Sequence, residues 1–216
     1  MDWVRRLFKS NPVPDQATPE LAAEIRESFE SAAADESSFP SAIDERIQHV
    51  RLVVEHMQSA AGGVILDVGS GKGRFASIVK RRYPAAHVIA FDLASAMLFS
   101  VPREVTRVCG SMLEIPLRSN SVSGVFAIES LEHAVNIDTA LDEMCRVLKP
   151  EGSLVIIDKN AEHWGRLDTP KWEKWFYRDD LTERLKKRCR TVSSRHVSYW
   201  DDVEPDGLFL GWFAIK

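Results

Sequence analysis

One segment of the chain, Val64–Ala76, constrains the fold more than any other. It reads Val-Ile-Leu-Asp-Val-Gly-Ser-Gly-Lys-Gly-Arg-Phe-Ala, an apolar run interrupted by Asp67 and followed by three glycines. The apolar run predicts a buried strand, and the residues after the last glycine predict a helix. Glycines suit this junction because the turn is tight and the backbone must approach a ligand without obstruction by Cβ atoms. The segment therefore predicts a ligand-binding strand, loop and helix.

The acid inside this strand indicates which kind of ligand the loop holds. A dinucleotide-binding loop has the spacing Gly-x-Gly-x-x-Gly and places a pyrophosphate at the helix N-terminus. Here Gly73 comes one residue early for that spacing, and Asp67 lies two residues before the first glycine. A carboxylate at this point repels a pyrophosphate but holds an ammonium group, directly or through water. The pattern favours a cationic amino-acid moiety over a diphosphate.

From residue 62 onward, apolar strands alternate with helices. The predicted strands are Val64–Val68, His87–Phe91, Val105–Cys109, Val122–Ile128, Leu154–Ile157, Val192–Trp200 and Leu208–Ile215. The predicted helices are 20–34, one capped by Ser41, 74–82, Ser95–Ser100, Asp138–Leu148 (stopped by Pro150 and Gly152) and Asp179–Arg190. Such alternation is typical of a parallel sheet covered on both faces, and the closely joined last two strands must be antiparallel. We expect an α/β fold with a doubly wound, seven-stranded, mostly parallel sheet and an antiparallel C-terminal strand.

A second acid, Asp92, follows the second predicted strand. A carboxylate at this point can accept hydrogen bonds from both hydroxyls of a ribose. The alternative is that Asp92 caps the helix that follows it. Taken together with Asp67 and the glycines, the position favours ribose binding.

Five stretches together resemble the class I S-adenosylmethionine-dependent methyltransferases, particularly the small-molecule enzymes of the ubiquinone/menaquinone-biosynthesis type. The stretches are Leu66–Gly73, Phe91–Leu98, Gly110–Leu117, Ile128–His133 and Arg146–Leu154. The resemblance covers residues 41–216 and implies a Rossmann-like fold, with S-adenosylmethionine as cofactor and S-adenosylhomocysteine as product.

The resemblance also implies which residues bind the cofactor. Those lining its methionine part are Asp67, Gly69, Ser70, Gly71 and Gly73, bordered by Glu129. Asp92 takes the ribose, Leu93 packs on the adenine, and Ser111 and Met112 lie at the adenine edge. One departure is that relatives usually place an acid where Ser111 stands, so the adenine amino group meets a weaker acceptor here.

Three residues are candidates for catalysis, namely Glu132, His133 and His163. Methyl transfer from a sulfonium needs alignment and exclusion of water, and a base is needed when the acceptor holds its proton near neutral pH. Glu132 and His133 follow the fourth strand, at the sheet edge where ligands bind. The spacing Glu-x-x-Glu-His from Glu129 to His133 resembles that of ubiquinone O-methyltransferase-like enzymes. A divalent metal is therefore an alternative, although not the favoured one, and a purely structural role for this turn stays open.

Residues 158–180 are rich in aromatic and basic side chains. The aromatic ones are Trp164, Trp172, Trp175, Phe176 and Tyr177, and the basic ones are His163, Arg166, Lys171, Lys174 and Arg178. Such a set at the ligand edge suits a flat or apolar acceptor that bears a negative charge. The alternative is that Trp172, Trp175 and Phe176 form the packing face of a helix opened by Thr169-Pro170. We expect an acceptor-site insertion over these residues.

The first 40 residues are expected to form an N-terminal extension with a linker and a lid helix. Residues 1–9 have one apolar and one basic helical face, prolines interrupt residues 10–19, and the helices within 20–57 are expected to cover the cofactor. No apolar run approaches the ~18 residues of a membrane helix, and the N-terminus lacks a secretory signal. Three widely spaced cysteines give neither a disulfide framework nor a metal pair, so we expect a cytoplasmic protein.

The charge balance bears on the partners. The chain has 28 Lys and Arg against 32 Asp and Glu, a net charge of −4, which argues against a protein that coats nucleic acid. The main hypothesis is methyl transfer from S-adenosylmethionine to a small-molecule acceptor, with oxygen as the first choice of acceptor atom. An RNA methyltransferase using the basic run 181–190, a non-catalytic cofactor-binding partner subunit and a dehydrogenase are the alternatives.

Overall fold

The computed structural model describes residues 18–216, whose strands form one sheet. The strands are β1 (Val64–Val68), β2 (His87–Asp92), β3 (Thr106–Cys109), β4 (Val122–Ile128), β5 (Leu148–Lys159), β6 (Thr191–Val197) and β7 (Phe209–Ile215). Their order across the sheet is β3-β2-β1-β4-β5-β7-β6. Strands β1 to β5 are parallel, and β7 is antiparallel to both β5 and β6. The expected fold class, including the antiparallel end, is confirmed.

Six α-helices accompany the sheet in the described part of the chain. They are α1 (Pro19–Ala32), α2 (Gln48–His56), α3 (Arg74–Arg82), α4 (Ser95–Leu98), α5 (Ile137–Val147) and α6 (Arg178–Lys186). Single 3₁₀ turns lie at Gln58–Ala60, Leu131–His133 and Ala161–His163.

Both faces of the sheet are covered by helices. On one face, α5 and α6 pack against the strands through residues such as Leu141 and Leu185. On the other face, α2 and α3 do so through residues such as Val53 and Val79. Each side chain of this kind stabilises the fold by about 1.5–3 kcal/mol when it is fully buried. Because neither face of the central strands meets water, these strands are apolar on both sides.

Helix α1 is fixed at both of its ends. Thr18 accepts a hydrogen bond from the N–H of Leu21 at 3.2 Å, and Pro19 occupies the first turn, where its missing N–H costs nothing. Near its other end, the carboxylate of Glu30 accepts the backbone N–H groups of Ser95 and Ala96 at 2.7 and 2.9 Å. These groups are the open donors at the start of α4, so Glu30 ties α1 to the second strand–helix connection.

One prediction about the start of a helix was wrong. Ser41 does not cap α2, which begins at Gln48; the Ser41 hydroxyl donates to Glu36 at 3.0 Å instead. Helix α5, Ile137–Val147, agrees within one residue at each end with the predicted Asp138–Leu148, but it ends because the chain enters β5 at Leu148, paired there with Val122, and Pro150 lies inside that strand.

Two further expectations were wrong for a related reason, the proximity of the next strand. Helix α6 ends at Lys186, before Arg190, since the chain must turn into β6 at Thr191. The packing helix considered after Thr169-Pro170 is not formed, because Phe176 pairs with β5 by donating its N–H to the carbonyl of Lys159 at 3.0 Å.

The amphipathic segment expected at residues 1–9, and the linker up to residue 17, lie outside the described residues. Among residues 18–216, no helix combines the length and the apolar character needed to cross a bilayer.

Candidate functional site

A cavity of about 560 Å³ lies at the carboxyl ends of the central strands. Strand order reverses between β1 and β4, and ligands of doubly wound sheets bind outside this point. Eleven of the residues singled out from the sequence line the cavity: Asp67, Gly69, Ser70, Gly71, Asp92, Leu93, Ser111, Met112, Glu129, Glu132 and His133. The fold thus brings together residues that lie far apart along the chain.

Two of the expected site residues are not in the cavity wall. Gly73 precedes the first residue of α3, and a Cβ atom there would lie 2.8 Å from Val101, so its position is fixed by packing. His163 lies in the 3₁₀ turn that follows β5, with its ring against Gly207. Neither position brings the residue to the cavity.

All three glycines of the loop have a positive φ, at which another residue would be strained, and two of them line the cavity. Gly69 has φ +70°, and a Cβ atom there would lie 2.4 Å from Cβ of Ser130. Gly71 has φ +53°, and a Cβ there would meet nothing within 4 Å. The backbone is therefore packed on one side at Gly69 and open at Gly71, which leaves room for a ligand against the loop.

Asp67 is the buried acid of this site. It is 2% exposed, and its Oδ2 atom has no hydrogen-bond partner among the described residues. Burial, together with the nearby Asp92, raises the pKa of Asp67 well above its ordinary value. An unpaired buried carboxyl is costly unless a ligand supplies a donor, and the ammonium group of an amino acid is such a donor. The site therefore fits the methionine part of S-adenosylmethionine.

Asp92 holds the loop in place and keeps acceptor capacity. Its Oδ2 accepts the N–H of Gly71 at 2.7 Å, and its Oδ1 accepts the N–H of Ala94 at 2.8 Å. Burial raises its pKa, against the effect of these N–H groups. Each carboxylate oxygen has a further lone pair, which suits two ribose hydroxyls. Asp92 is not the N-cap residue of α4, since that residue is Ala94.

Glu129 has a partner that sequence reasoning missed. The Nδ1 atom of His49 lies 3.6 Å from Oε1 of Glu129, and His49 is fully buried with its ring edge-on to Tyr199 and Phe209. Burial raises the pKa of Glu129. The nearby basic groups, of which His49 has the largest effect, outweigh burial and lower this pKa to about 2. The available signal was a polar residue on the apolar face of α2.

His133 lines the same cavity as a neutral imidazole. Burial, supported by the charge of Lys159, lowers its pKa to about 3. Its Nε2 atom lies 3.6 Å from Oε1 of Glu132, and its Nδ1 atom has no partner among the described residues. The ring of Phe29 in α1 meets it edge-on at 5.0 Å. A neutral ring of this kind can accept a hydrogen bond from a ligand.

A buried charge cluster lies beside His133. The ammonium of Lys159 contacts Oε1 of Glu132, and it lies 3.2 Å from Oε1 of Glu173. Asp158 is fully buried and accepts the N–H of Glu132 at 3.2 Å. Burial raises the pKa of Asp158 to about 6 and raises that of Glu132 as well. The surrounding acids outweigh burial at Lys159 and raise its pKa, so the lysine stays charged.

The segment 158–180 reaches the cavity with part of the expected set. Those in the wall are Lys159, Asp168, Pro170, Trp172 and Glu173, of which Trp172 was expected. Two of the basic residues expected there have other partners, with Arg166 on Asp206 at 2.7 Å and Lys174 on the carbonyls of Ala134 and Val135. The segment shapes the cavity with one indole, one lysine and two acids, in addition to Pro170.

The basic run 181–190 is paired with acids of neighbouring elements. Arg184 and Arg188 both contact Asp138, at 2.7 and 3.0 Å, and Arg188 also contacts Asp142. Lys186 pairs with Glu183, and Arg190 pairs with Glu151. Pairing offsets much of the positive charge that would attract an RNA backbone.

Helix α1 and the loop after it cover the cavity from the outside. Phe29 and Phe39 line it, with their ring centroids 5.8 Å apart. The loop is held by Glu36, which accepts from the buried ammonium of Lys72 at 2.6 Å. Helix α2, by contrast, packs in the core with α3 and β5. Of the helices expected to form a lid, α1 is the one in that position.

Comparisons with known proteins agree with this geometry. A family described as "Methyltransferase domain" matches residues 66–156. A malonyl-[acyl-carrier protein] O-methyltransferase of Dechloromonas aromatica is 32% identical over 66% of this chain and 53% of its own length. A ubiquinone/menaquinone biosynthesis C-methyltransferase of Syntrophotalea carbinolica is 30% identical over 49% of this chain and 47% of its own. The chain spans about half the length of these curated relatives.

A solved structure shows the same fold over nearly the whole chain. The geranyl diphosphate C-methyltransferase of Streptomyces coelicolor A3(2), solved with Mg²⁺, geranyl diphosphate and S-adenosylhomocysteine, has a TM-score of 0.69 and 15% identity. The match covers 94% of this chain and 99% of that one. Residues 66–156, from β1 into β5, therefore match a methyltransferase domain, and the cavity lies at the carboxyl ends of these strands.

Proposed function

We propose that this protein transfers a methyl group from S-adenosylmethionine to an oxygen atom of a small-molecule acceptor, leaving S-adenosylhomocysteine. The observation that carries the proposal is the position of His133, a neutral imidazole with an unpartnered nitrogen in the same cavity as the glycine loop. The O-methyltransferase among the relatives supports an oxygen acceptor, and the C-methyltransferase shows that carbon is the main alternative.

Each predicted cofactor-binding residue that lines the cavity has a proposed part of S-adenosylmethionine to bind. In our proposal Asp67 holds the amino group, Asp92 holds the ribose, and Leu93, Ser111 and Met112 surround the adenine. Glu129 borders the methionine end, with its carboxylate kept ionised by His49. Alignment of the two reactants lowers the barrier by up to about 7–11 kcal/mol when the groups are well oriented.

The chemistry at the acceptor end needs only a weak base. As the acceptor oxygen attacks the methyl carbon, the carbon–sulfur bond breaks, the carbon–oxygen bond forms, and the hydroxyl becomes a strongly acidic oxonium. His133 accepts the released proton, which then passes to water when the site opens. A base with a pKa of about 3 suffices for this step, because the proton leaves a group far more acidic than a free hydroxyl.

Helix α1 and its following loop act as the lid in this proposal. They place Phe29 against His133 and tie Glu36 to Lys72 of the glycine loop. A lid in contact with both ends of the cavity excludes water from the sulfonium and the acceptor at once. We also propose a cytoplasmic location, where the free thiols of Cys145 and Cys189, whose Sγ atoms lie 3.8 Å apart, stay reduced.

The RNA alternative is weakened by the ion pairs of the basic run. A non-catalytic partner subunit would not need an unpartnered imidazole beside the cofactor loop, so the same cavity argues for catalysis.

The test uses S-adenosylmethionine with a radiolabelled methyl group and a nuclease-treated, protein-free extract of small molecules. We expect label in a small organic product from which hydriodic acid releases it as methyl iodide, as it does from methyl ethers and methyl esters but not from C-methyl groups. Label in added RNA, label in a C-methyl group, or no transfer above a boiled-protein control would each contradict the proposal.

A further inference from the structure

Two buried glutamates at the acceptor end share one cation. Glu132 is 1% exposed and Glu173 is 3% exposed. The ammonium of Lys159 contacts Oε1 of Glu132 and lies 3.2 Å from Oε1 of Glu173. Burying two carboxylates so close together is costly unless a positive charge lies between them. Lys159, at the end of β5, supplies that charge from within the chain.

The same place has the donor set of a divalent metal site. One ligand atom from each of Glu132, His133 and Glu173 can be chosen so that all three lie within 4.8 Å of one another. Carboxylate oxygens with one imidazole are ligands that ions such as Mn²⁺ accept. The ammonium of Lys159, however, already contacts both carboxylates of this set. An ion bound there would have to displace a positive charge that the two glutamates hold in place.

We propose that Lys159 is the built-in cation of the acceptor subsite, standing where a divalent ion would otherwise bind between Glu132 and Glu173, so that this end of the cavity receives a neutral hydroxyl group without a metal. The part that concerns the acceptor rests on the proposed function. The part that concerns the cation rests on the contacts of Lys159 alone.

The polar atoms left over around this cluster indicate the acceptor's chemistry. Oε2 of Glu132, Nδ1 of His133 and Nε1 of Trp172 are buried, lack partners among the described residues, and belong to residues that line the cavity. An indole N–H only donates, whereas a carboxylate oxygen only accepts. A hydroxyl group both donates and accepts, so it can satisfy both kinds of atom. A carboxylate or phosphate would add negative charge beside two glutamates and bring no donor.

The test replaces the cation and asks whether a metal takes its place. In Lys159→Met the side chain keeps its length but loses its charge, which leaves two buried carboxylates with no cation between them. We expect this variant to bind one Mn²⁺ per chain at least about tenfold more tightly than the wild type, followed by the electron paramagnetic resonance of free Mn²⁺ and by calorimetry. The double variant Lys159→Met/Glu173→Gln should lose the gained binding.

Two further variants serve as matched controls. Lys159→Arg keeps a cation between the glutamates and should bind Mn²⁺ no better than the wild type. Lys72→Met removes the other buried lysine of the same cavity, which pairs with Glu36 at the cofactor end, and should also gain no Mn²⁺ site. A gain in either control would show that the effect is not specific to the position of Lys159, and would overturn the proposal.

If Lys159→Met does not fold, Mn²⁺ binding to the wild type tests the proposal instead. Stoichiometric Mn²⁺ binding to the wild type that Glu173→Gln abolishes would overturn it, as would a folded Lys159→Met that binds Mn²⁺ no more tightly than the wild type. Because these titrations contain no cofactor or acceptor, they stand even if methyl transfer fails. Conversely, transfer to a hydroxyl acceptor that stops on addition of a chelator would overturn the inference and leave the proposed function intact.

Discussion

Replacing Asp67 by Asn tests the central electrostatic argument about the cofactor loop. The carboxyl group is 2% exposed, and its Oδ2 atom has no partner among the described residues. An ionised carboxylate bonded to the ligand's ammonium contributes about 1.5–3 kcal/mol, as hydrogen bonds to charged groups do. At about 1.4 kcal/mol for each factor of ten, Asp67→Asn should weaken the binding of S-adenosylhomocysteine by about 10- to 150-fold.

In the ligand-free protein, Asp67→Asn should raise the free energy of unfolding near neutral pH, although it weakens ligand binding. Burial raises the pKa of Asp67, so the protonated form is the one that the fold favours. Its contribution to stability is complete below the ordinary carboxyl value of 3.8 and is lost as pH rises through the raised value. Asn carries no charge at any pH. The variant should therefore be as stable as the wild type at low pH and more stable near neutrality.

Calorimetry measures the binding, and chemical denaturation at several pH values measures the stability. Asp168→Asn is the matched control, because Asp168 lines the same cavity but is exposed. It should change the affinity for S-adenosylhomocysteine by less than about twofold. If Asp67→Asn binds S-adenosylhomocysteine as tightly as the wild type, the assignment of Asp67 to the amino group is refuted.

Three further predictions concern the rest of the site. His133→Gln should lower single-turnover methyl transfer by about 100-fold while leaving the dissociation constant of S-adenosylhomocysteine unchanged, and equal losses in both would remove His133 as the base. Glu36→Gln frees its lysine partner, so stopped-flow release of S-adenosylhomocysteine should accelerate by up to about fivefold; an unchanged rate would show that this loop does not close the site. Gly69→Ala places a Cβ against Ser130 at a positive φ and should lower the free energy of unfolding by about 1–3 kcal/mol in denaturant titrations, whereas Gly62→Ala, with nothing within 4 Å, should be neutral.

The paired basic run shows how a sequence pattern can mislead about partners. Arg184 and Arg188 are close in sequence and form a dense positive stretch. Their acid partners, Asp138 and Asp142, lie on α5, more than forty residues earlier. A one-dimensional charge count cannot register pairing across that separation. The same applies to two basic residues of 158–180, since Arg166 pairs with Asp206 and Lys174 donates to the carbonyls of Ala134 and Val135.

The sequence by itself determined the alternation of strands and helices along the chain, the glycine loop and the type of cofactor. Apolar runs, glycine spacing and the two acids Asp67 and Asp92 are local patterns, because a strand, a tight turn and a strand-terminal carboxylate each depend on neighbours along the chain. For this reason β1, α3 and β4 have the predicted ends, and the doubly wound sheet could be inferred from their alternation.

Only the tertiary structure decided what surrounds the acceptor. Lys159 matters because β5 carries it between Glu132 and Glu173, and His49 matters because α2 packs it behind Glu129. Each is an isolated polar residue in its own segment, with no spacing to distinguish it from a surface residue. Charge pairing and burial are properties of groups that meet in space, so the physical character of these two residues appears only once the chain is folded.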